Sequence, residues 1–551
     1  MSKLFEELVR KRGVTREFLM PEYGKLASPF LLPDMKKAVE RILTAVKEGE
    51  KVIVYGDYDA DGVTASVVMN EILRLAGVEE GKVETMLPDR FTDGYGMSKK
   101  VVQRAKETGA KLVITVDCGS ANKEIIQELL ETGVETVVTD HHEVPAELPK
   151  AVAVVNPKRR DPAFLAQVDF EANIDKLMRL RDLAGVGVAF MVARAMVLSG
   201  AIPEGQEKWL LDLVLIGTIC DSMKMSGENR ILCYFGAKVL AKTRREGLKE
   251  LLRVSGVRRL TSEAVGFQIG PRINAAGRMA SAEIAFRLLE TRSRIEAAQL
   301  AQELETLNKA RRDEQGAAMK ELRERVGSEE PVLVVDGGWH EGVLGIIAGR
   351  LVEEYRRPAF VLAEKEGLYK GSGRSFGEFN LAEALRACAG EIIGGGGHAG
   401  AAGVKVEKEK LGAFKERINE YYRSLGLQDQ ERFFMTEADI ETGELGGFTL
   451  EFMAELRGLE PFGVGNEVPV FGLKEMFVLD KKLMGTDGQH LGLLVRGEDG
   501  KLMKLVAFNA PEKWREIRSG EREDLLVNVE ENEWNGLKNV EGRILEVQGL
   551  A

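Results

Sequence analysis

Short, nearly uninterrupted apolar runs alternate with amphipathic stretches in the first part of the chain. "KVIVYG" (51–56), "KVETML" (82–87), "KLVITV" (111–116), "VETVVT" (134–139) and "AVAVVN" (151–156) have the length and composition of strands buried on both faces. Between them, "TASVVMNEILRLAG", "SKKVVQRAKETG" and "NKEIIQELLETG" place apolar residues at helical spacing. A β-α-β series of this kind predicts a parallel sheet flanked by helices, and helical patterns continue over 158–290. "RIEAAQLAQELETLNKARRDEQGAAMKELRERV" (294–326) keeps a helical period with charged faces for about nine turns. A plain surface helix would give the same pattern. Its place before a second α/β pattern (strand "PVLVV", helix "VLGIIAGRLVEEY", strand "PAFVLA") favours a bridge. After residue 430 the pattern becomes short strands separated by Gly/Asp turns, among them "KEMFVLDKKLMG", "HLGLLVRG", "KLMKLVAF" and "NVEGRILEVQG", which predicts an all-β barrel. The expected architecture is α/β with parts at 1–290, 291–328, 329–428 and 429–551.

With 44% hydrophobic and 30% charged residues over 551 positions, the composition is that of a globular protein with several cores. No stretch approaches the roughly 18 apolar residues of a membrane span, and "MSKLFEELVRKRG" is charged and helical in pattern rather than a signal peptide, so a cytoplasmic protein is expected. Cys118, Cys220, Cys233 and Cys388 are scattered without metal or disulfide spacing. The formal charge of −11 gives no bulk attraction to nucleic acid, so any such binding must rest on local basic clusters.

The acidic residues change this picture. "VYGDYDADGVTAS" (54–66) sets Asp57, Asp59 and Asp61 at alternate positions directly after the first strand; Asp117 ends "VITVD", and Asp140, His141 and His142 end "VVTDHH". All lie at the carboxyl ends of predicted strands, the edge where open α/β sheets bind ligands. Asp and Gly are ordinary turn residues. Crowded carboxylates, however, repel one another unless a strong positive charge sits among them. Two of only five histidines stand adjacent in this group, and mixed carboxylate and imidazole donors suit Mn²⁺ or Mg²⁺. Asp221, closing the apolar pattern "WLLDLVLIGTICDSM", could reach the same cluster. Two divalent metal ions would explain so many ligands and point to phosphoester or phosphoanhydride hydrolysis. Neither a P-loop nor a GxSxG elbow is present.

"GDYDADG", "VDCG", "TDHH" and "GTICD" resemble the four motifs of the DHH phosphoesterase superfamily, in an order and spacing similar to the RecJ single-strand-specific exonucleases within it. "PDRFTDGYG", "GPRINAAGRM", "HEGVLGIIAGRL", "GSGRS", "GGGGHAGAAG" and "PFGVGN" extend the resemblance over about residues 30 to 550. The chain departs from it at "CDSMKM", where relatives commonly carry a small residue before the Asp and a proline after it. The resemblance implies a DHH catalytic domain, a bridging helix, a DHHA1 domain and an OB-fold barrel. It implies metal ligation by Asp59, Asp61, Asp117, His141 and Asp221, with Asp57 a ligand or a partner of one and Asp117 the bridge between metals. His142 becomes a donor near the scissile phosphate, and Asp140 fits an acid that orients an imidazole. For the substrate it implies Arg90, Tyr95, Arg272, Asn274, Arg278, His340, Ser372, Arg374 and His398. Arg90, Ser372 and Arg374, with Arg278, form the expected 5′-phosphate pocket, and Tyr95 could stack on a base.

The activity so implied is 5′-to-3′ hydrolysis of single-stranded DNA in repair and recombination, by a monomer working beside a helicase and a single-strand-binding protein. Two alternatives stay open: a DHH enzyme acting on oligoribonucleotides, cyclic dinucleotides or pyrophosphate, and a non-catalytic DNA-binding scaffold. The intact acid set speaks against the scaffold, and the barrel against a small substrate. Within the barrel, Trp534, Phe508, Lys481 and Lys482 are candidate strand contacts, with Trp534 and Phe508 read more readily as core.

Overall fold

The computed structural model describes residues 1–548 apart from 95, 166–168, 328 and 429, and no side chain at 170 or 534. The five expected strands form one parallel sheet: β1 (Val52–Tyr55), β2 (Val83–Met86), β3 (Leu112–Val116), β4 (Glu135–Thr139) and β5 (Ala153–Val155), in the order β2-β1-β3-β4-β5. That order reverses between β1 and β3, which opens a crevice at their carboxyl ends. Three helices buried over most of their length, Ala60–Leu75, Gly185–Leu198 and Leu211–Cys220, pack against one another beside the sheet. A helix apolar all round is expected in such a layer and not at a surface.

The helix Arg294–Arg325 runs unbroken for 32 residues, about 48 Å. Its first half, through Ala297, Leu300, Ala301 and Leu304, belongs to the core of the first domain. Its second half, through Ala318, Met319 and Leu322, packs with Leu344, Ile347 and Leu351 of the helix Leu344–Tyr355. The bridge is therefore fixed at both ends. Beyond it, β6 (Leu333–Gly337), β7 (Ala359–Lys365), β8 (Leu368–Arg374), β9 (Gly394–Gly397) and β10 (Ala401–Glu407) form a mixed sheet ordered β6-β7-β8-β10-β9.

β11 (Ile440–Thr442) lies on the edge of β12 (Phe471–Met484), which pairs with both β13 (His490–Arg496) and β15 (Arg522–Trp534). With β14 (Leu502–Ala507) parallel to β16 (Leu537–Val547), strands β12-β13-β14-β16-β15 close into the five-stranded barrel of an OB-fold.

Two expectations change here. The helix Lys3–Lys11, grouped by sequence with residues 1–290, packs instead on the barrel: Phe5 and Leu8 join Phe452, Phe471 and Leu473 in its core, while Arg12 grips Asp439 at 2.6 and 2.7 Å. Phe508, read as core, is 60% exposed against the His490 ring, because β14 turns Met503, Leu505 and Ala507 inward and ends there. Lys481 donates to the carbonyls of Arg515 and Ile517, Lys482 is exposed, and the Trp534 side chain lies outside the described residues. Among the described residues all four cysteines are unbridged, and no helix is long and apolar enough to cross a membrane.

Candidate active site

The turn after β1 leads straight into the helix Ala60–Leu75, so the three alternating aspartates sit at the first turn of a buried helix. Asp59 caps it, its Oδ1 accepting from the Asp61 and Gly62 amides at 2.9 and 3.1 Å. Asp61 is fully buried and accepts from the Gly185 and Val186 amides at 2.7 and 2.9 Å, the free N–H groups that open a second helix. Asn274 Oδ1 accepts from Ala60 N at 2.8 Å and ties the same turn to the helix Gly270–Met279.

Asp117 leaves β3 with φ +60, in the left-handed region, its amide donating to Thr139 O at 3.0 Å. From the end of β4, His141 directs Nε2 into the acids, 3.1 Å from Asp117 Oδ1, 3.5 Å from Asp221 Oδ2 and 3.8 Å from Asp61 Oδ2. Asp221 arrives at the C-terminal end of the helix Leu211–Cys220. Three donor groups of compatible geometry result: Asp57–Asp59–Asp117, Asp61–His141–Asp221 and Asp117–His141–His142. Asp117 belongs to two of them.

The electrostatics of this cluster call for a cation. Burial and the Asp59 charge push Asp57 up to about 8 and Asp61 up to about 7, while burial with the Asp61 charge takes Asp221 to about 8. Asp117 is raised well above the carboxylate range, by burial first and then by Asp61 and Asp59. His141 cannot compensate, since burial and the adjacent His142 hold it neutral, at about 3. Asp57 Oδ1, Asp117 Oδ1 and His141 Nε2 are all buried without a hydrogen-bond partner. Buried polar atoms left unpaired cost about 1–3 kcal/mol each, so their convergence here fits divalent ions.

His142 differs from its neighbour. Its Nδ1 lies 2.8 Å from Asp140 Oδ1, and against the effect of burial this hydrogen bond raises its pKa. Asp140 is in turn fixed by the Ser120, His141 and His142 amides. The imidazole is thereby oriented and inclined to keep its proton.

Beside the acids stands a basic group assembled from three distant segments. Arg278 is pushed down to about 10 by burial and by Arg90, with Arg374 contributing; Arg374 is likewise lowered by burial and by Arg90. Arg374 Nη1 donates to Ser372 Oγ at 3.0 Å. A Cβ on Gly345 would lie 2.8 Å from Arg374 Nη2 and 3.0 Å from Ser372 Oγ, so glycine there lets this pair reach the start of the helix Leu344–Tyr355.

The remaining expected substrate residues divide. His340 is exposed, caps the turn at Gly342 through Nδ1 and stacks edgewise on Phe91. His398, exposed after β9, stands close enough to Glu143 to help Lys158 hold that carboxylate low. Arg272 is buried and committed to Glu305 of the long helix and to Gln268 O. Tyr95 lies outside the described residues. The sequence reading missed Gly185 and Val186, although "LAGVGVAF" carries two glycines at the head of an apolar helical run.

Residues 51–218 match the DHH family, N-terminal domain, 329–424 the DHHA1 domain and 440–546 the RecJ OB domain. The single-stranded-DNA-specific exonuclease RecJ of Bacillus subtilis is 36% identical over 551 residues, covering 98% of this chain and 67% of that protein. Its Escherichia coli counterpart is 33% identical over 573 residues, covering 98% and 94%. The chain belongs to the RecJ family. Among solved RecJ structures, that of Thermus thermophilus in complex with Mn²⁺ superposes with a TM-score of 0.84 at 29% identity, over 100% of this chain and 76% of that one. The Mg²⁺ complex of the same protein gives 0.77 at 26% identity, over 99% and 74%.

Proposed function

We propose that this chain is a divalent-metal-dependent exonuclease that hydrolyses the phosphodiester bonds of single-stranded DNA, starting from the 5′ end. The observation that carries the polarity is the placement of Arg90, Arg278 and Arg374 beside the Asp59 end of the acid cluster. A terminal phosphate bears more charge than an internal diester. Guanidinium groups, the Ser372 hydroxyl and a helix N-terminus together select for it.

Asp57, Asp59, Asp61, Asp117, His141 and Asp221 would hold Mn²⁺ or Mg²⁺, which supplies Lewis acidity toward water and the phosphoryl group. The chain's own residues set the geometry. Asp61 and Asp59 are fixed by backbone amides, and His141 stays neutral and able to donate a lone pair. His142, oriented by Asp140, offers a proton-bearing nitrogen to the scissile phosphate. With the terminal phosphate held by the arginine group, the bond next inward along the strand would be presented to the acids beside it. The barrel suits a strand extending beyond the site. A duplex would need a helicase to open it and a single-strand-binding protein to keep it open, with the chain acting as a cytoplasmic monomer.

The test uses end-labelled strands with Mn²⁺ or chelator. Arg374→Ala should slow 5′-phosphorylated single strands by roughly 10- to 100-fold, the worth of one charge-assisted hydrogen bond, and 5′-hydroxyl strands far less. Equal slowing of both would refute the pocket, and trimming from the 3′ end by the unmodified enzyme would refute the polarity.

A further inference from the structure

The motif "PFGVGN" (461–466) lies before the barrel and reaches back to the loop that follows Asp221. Val464 O accepts from Met225 N at 2.7 Å, and Gly463 rests on the buried Met225 side chain, where a Cβ would stand 3.4 Å from Met225 Cε. The motif is rigid in its own right. Asn466 Nδ2 donates to Leu459 O and Pro461 O at 2.9 Å each, while Gly463 and Asn466 exchange backbone hydrogen bonds at 2.9 and 3.0 Å.

A buried arginine holds the segment in place. Arg230, in the helix Gly227–Leu240 that begins just after the Asp221 loop, donates to Gly458 O at 3.0 Å, Pro461 O at 3.4 Å and Phe18 O at 3.2 Å, and stacks on the Phe18 ring. It makes no ion pair among the described residues. A guanidinium taken out of water without a carboxylate is costly, and here its donors are spent on carbonyls of the N-terminal and pre-barrel segments.

The Asp221 loop is closed on its helix side by backbone hydrogen bonds from Ser222 N to Ile219 O at 3.1 Å and from Met223 N to Thr218 O at 3.2 Å, and its far side, at Lys224 and Met225, is where support from elsewhere enters. Ser222 sits at φ +54, a conformation that non-glycine residues seldom adopt. From within the first domain this far side is held by Asn229 Nδ2, which donates to Lys224 O at 3.0 Å, and by Lys224 Nζ, which lies 3.9 Å from Asp182 Oδ2. We infer that the 458–466 segment is a strut that positions Asp221 for its metal, so that the C-terminal part of the chain contributes to metal affinity as well as to strand binding. Asn466, Val464 and Arg230 are positioning residues in this scheme. The inference rests on the metal reading of the acid cluster.

The experiment is calorimetric titration of Mn²⁺ into metal-stripped full-length protein, with Asn466→Ala, Val464→Gly and Asp221→Asn alone and combined. Val464 is 47% exposed, so its glycine variant keeps the accepting carbonyl but loosens the backbone that aims it, without opening a core. Both strut variants should weaken the tighter Mn²⁺ association by about 5- to 20-fold in the native background and by less than about 2-fold in Asp221→Asn, since a strut without its aspartate has nothing left to position. Unchanged affinity in both, or equal weakening with and without Asp221, would overturn the strut. Failure of the unmodified protein to bind Mn²⁺ at all would instead remove the metal reading beneath it.

Discussion

Gly185→Ala is a one-carbon perturbation aimed at Asp117. A Cβ at Gly185 would lie 2.5 Å from both Asp117 Cβ and Asp117 Oδ1, where ordinary contact needs about 3.5 Å, so something must retreat by about 1 Å. The aspartate has little room to do so. Its backbone is in the left-handed region, its amide is tied to Thr139 O, and its Oδ1 stands 3.1 Å from His141 Nε2. The helix start cannot yield freely either, since the Gly185 amide holds Asp61 at 2.7 Å. Overpacking of this kind costs about 1–3 kcal/mol of stability, and a misplacement near 1 Å at a reacting centre costs on the order of 100-fold in rate. Gly187, two residues along the same helix, is the control: the nearest atoms to its Cβ would be those of the Leu183 side chain, at 3.1 to 3.7 Å. Turnover of a 5′-phosphorylated, end-labelled strand in saturating Mn²⁺ should fall about 100-fold for Gly185→Ala and remain within about 3-fold for Gly187→Ala, with circular dichroism confirming that both fold. Near-native turnover by a folded Gly185→Ala protein would refute the account of Asp117, and an equal loss from Gly187→Ala would place the effect in the helix.

Asp117→Ala should abolish turnover while leaving the melting temperature of metal-free protein at pH 8 unchanged or higher, because it relieves repulsion; a loss of several degrees would contradict that. Asp57, Asp61 and Asp221 are raised to between about 7 and 8, so the fold holds protons that the unfolded chain releases near pH 4. Their stabilisation is present at low pH and is lost as pH climbs toward 8. Thermal melts of stripped protein should therefore fall between pH 6 and 8.5, with the gain from added Mn²⁺ widening over the same interval, and a gain independent of pH would count against it. Phe5→Ala should cost about 3–5 kcal/mol in the barrel's stability, read as faster proteolysis after residue 430 with the first domain intact; uniform digestion would argue against separate cores.

The first sheet and its acids were legible because central parallel strands are apolar on both faces, and Asp57, Asp117 and Asp140 stand directly at their carboxyl ends. What was not legible depends on partners far along the chain. The apolar face of Lys3–Lys11 does not state which surface it covers, and the barrel core it joins lies more than 400 residues on. Arg272 sits in a glycine-rich motif suited to substrate, yet Glu305 claims it across two helices. Phe508 was misread for a different reason. Its aromatic identity suggested core, whereas the alternation of Met503, Leu505 and Ala507 had already assigned position 508 to the outer face.

The docking of Lys3–Lys11 on the barrel also bears on how the chain is made. At about 5–20 residues per second, a ribosome takes roughly 20–90 s to pass from this helix to the strands that bury Phe5 and Leu8. Over that interval the catalytic domain can fold while the helix waits with its apolar face in water, a candidate for chaperone binding. Arg230, buried against Phe18 and Pro461, gains its full set of acceptors only at the same late moment. The barrel therefore closes over a helix made long before it, and chains terminated ahead of the barrel carry an unpaired hydrophobic stripe by which quality control can know them.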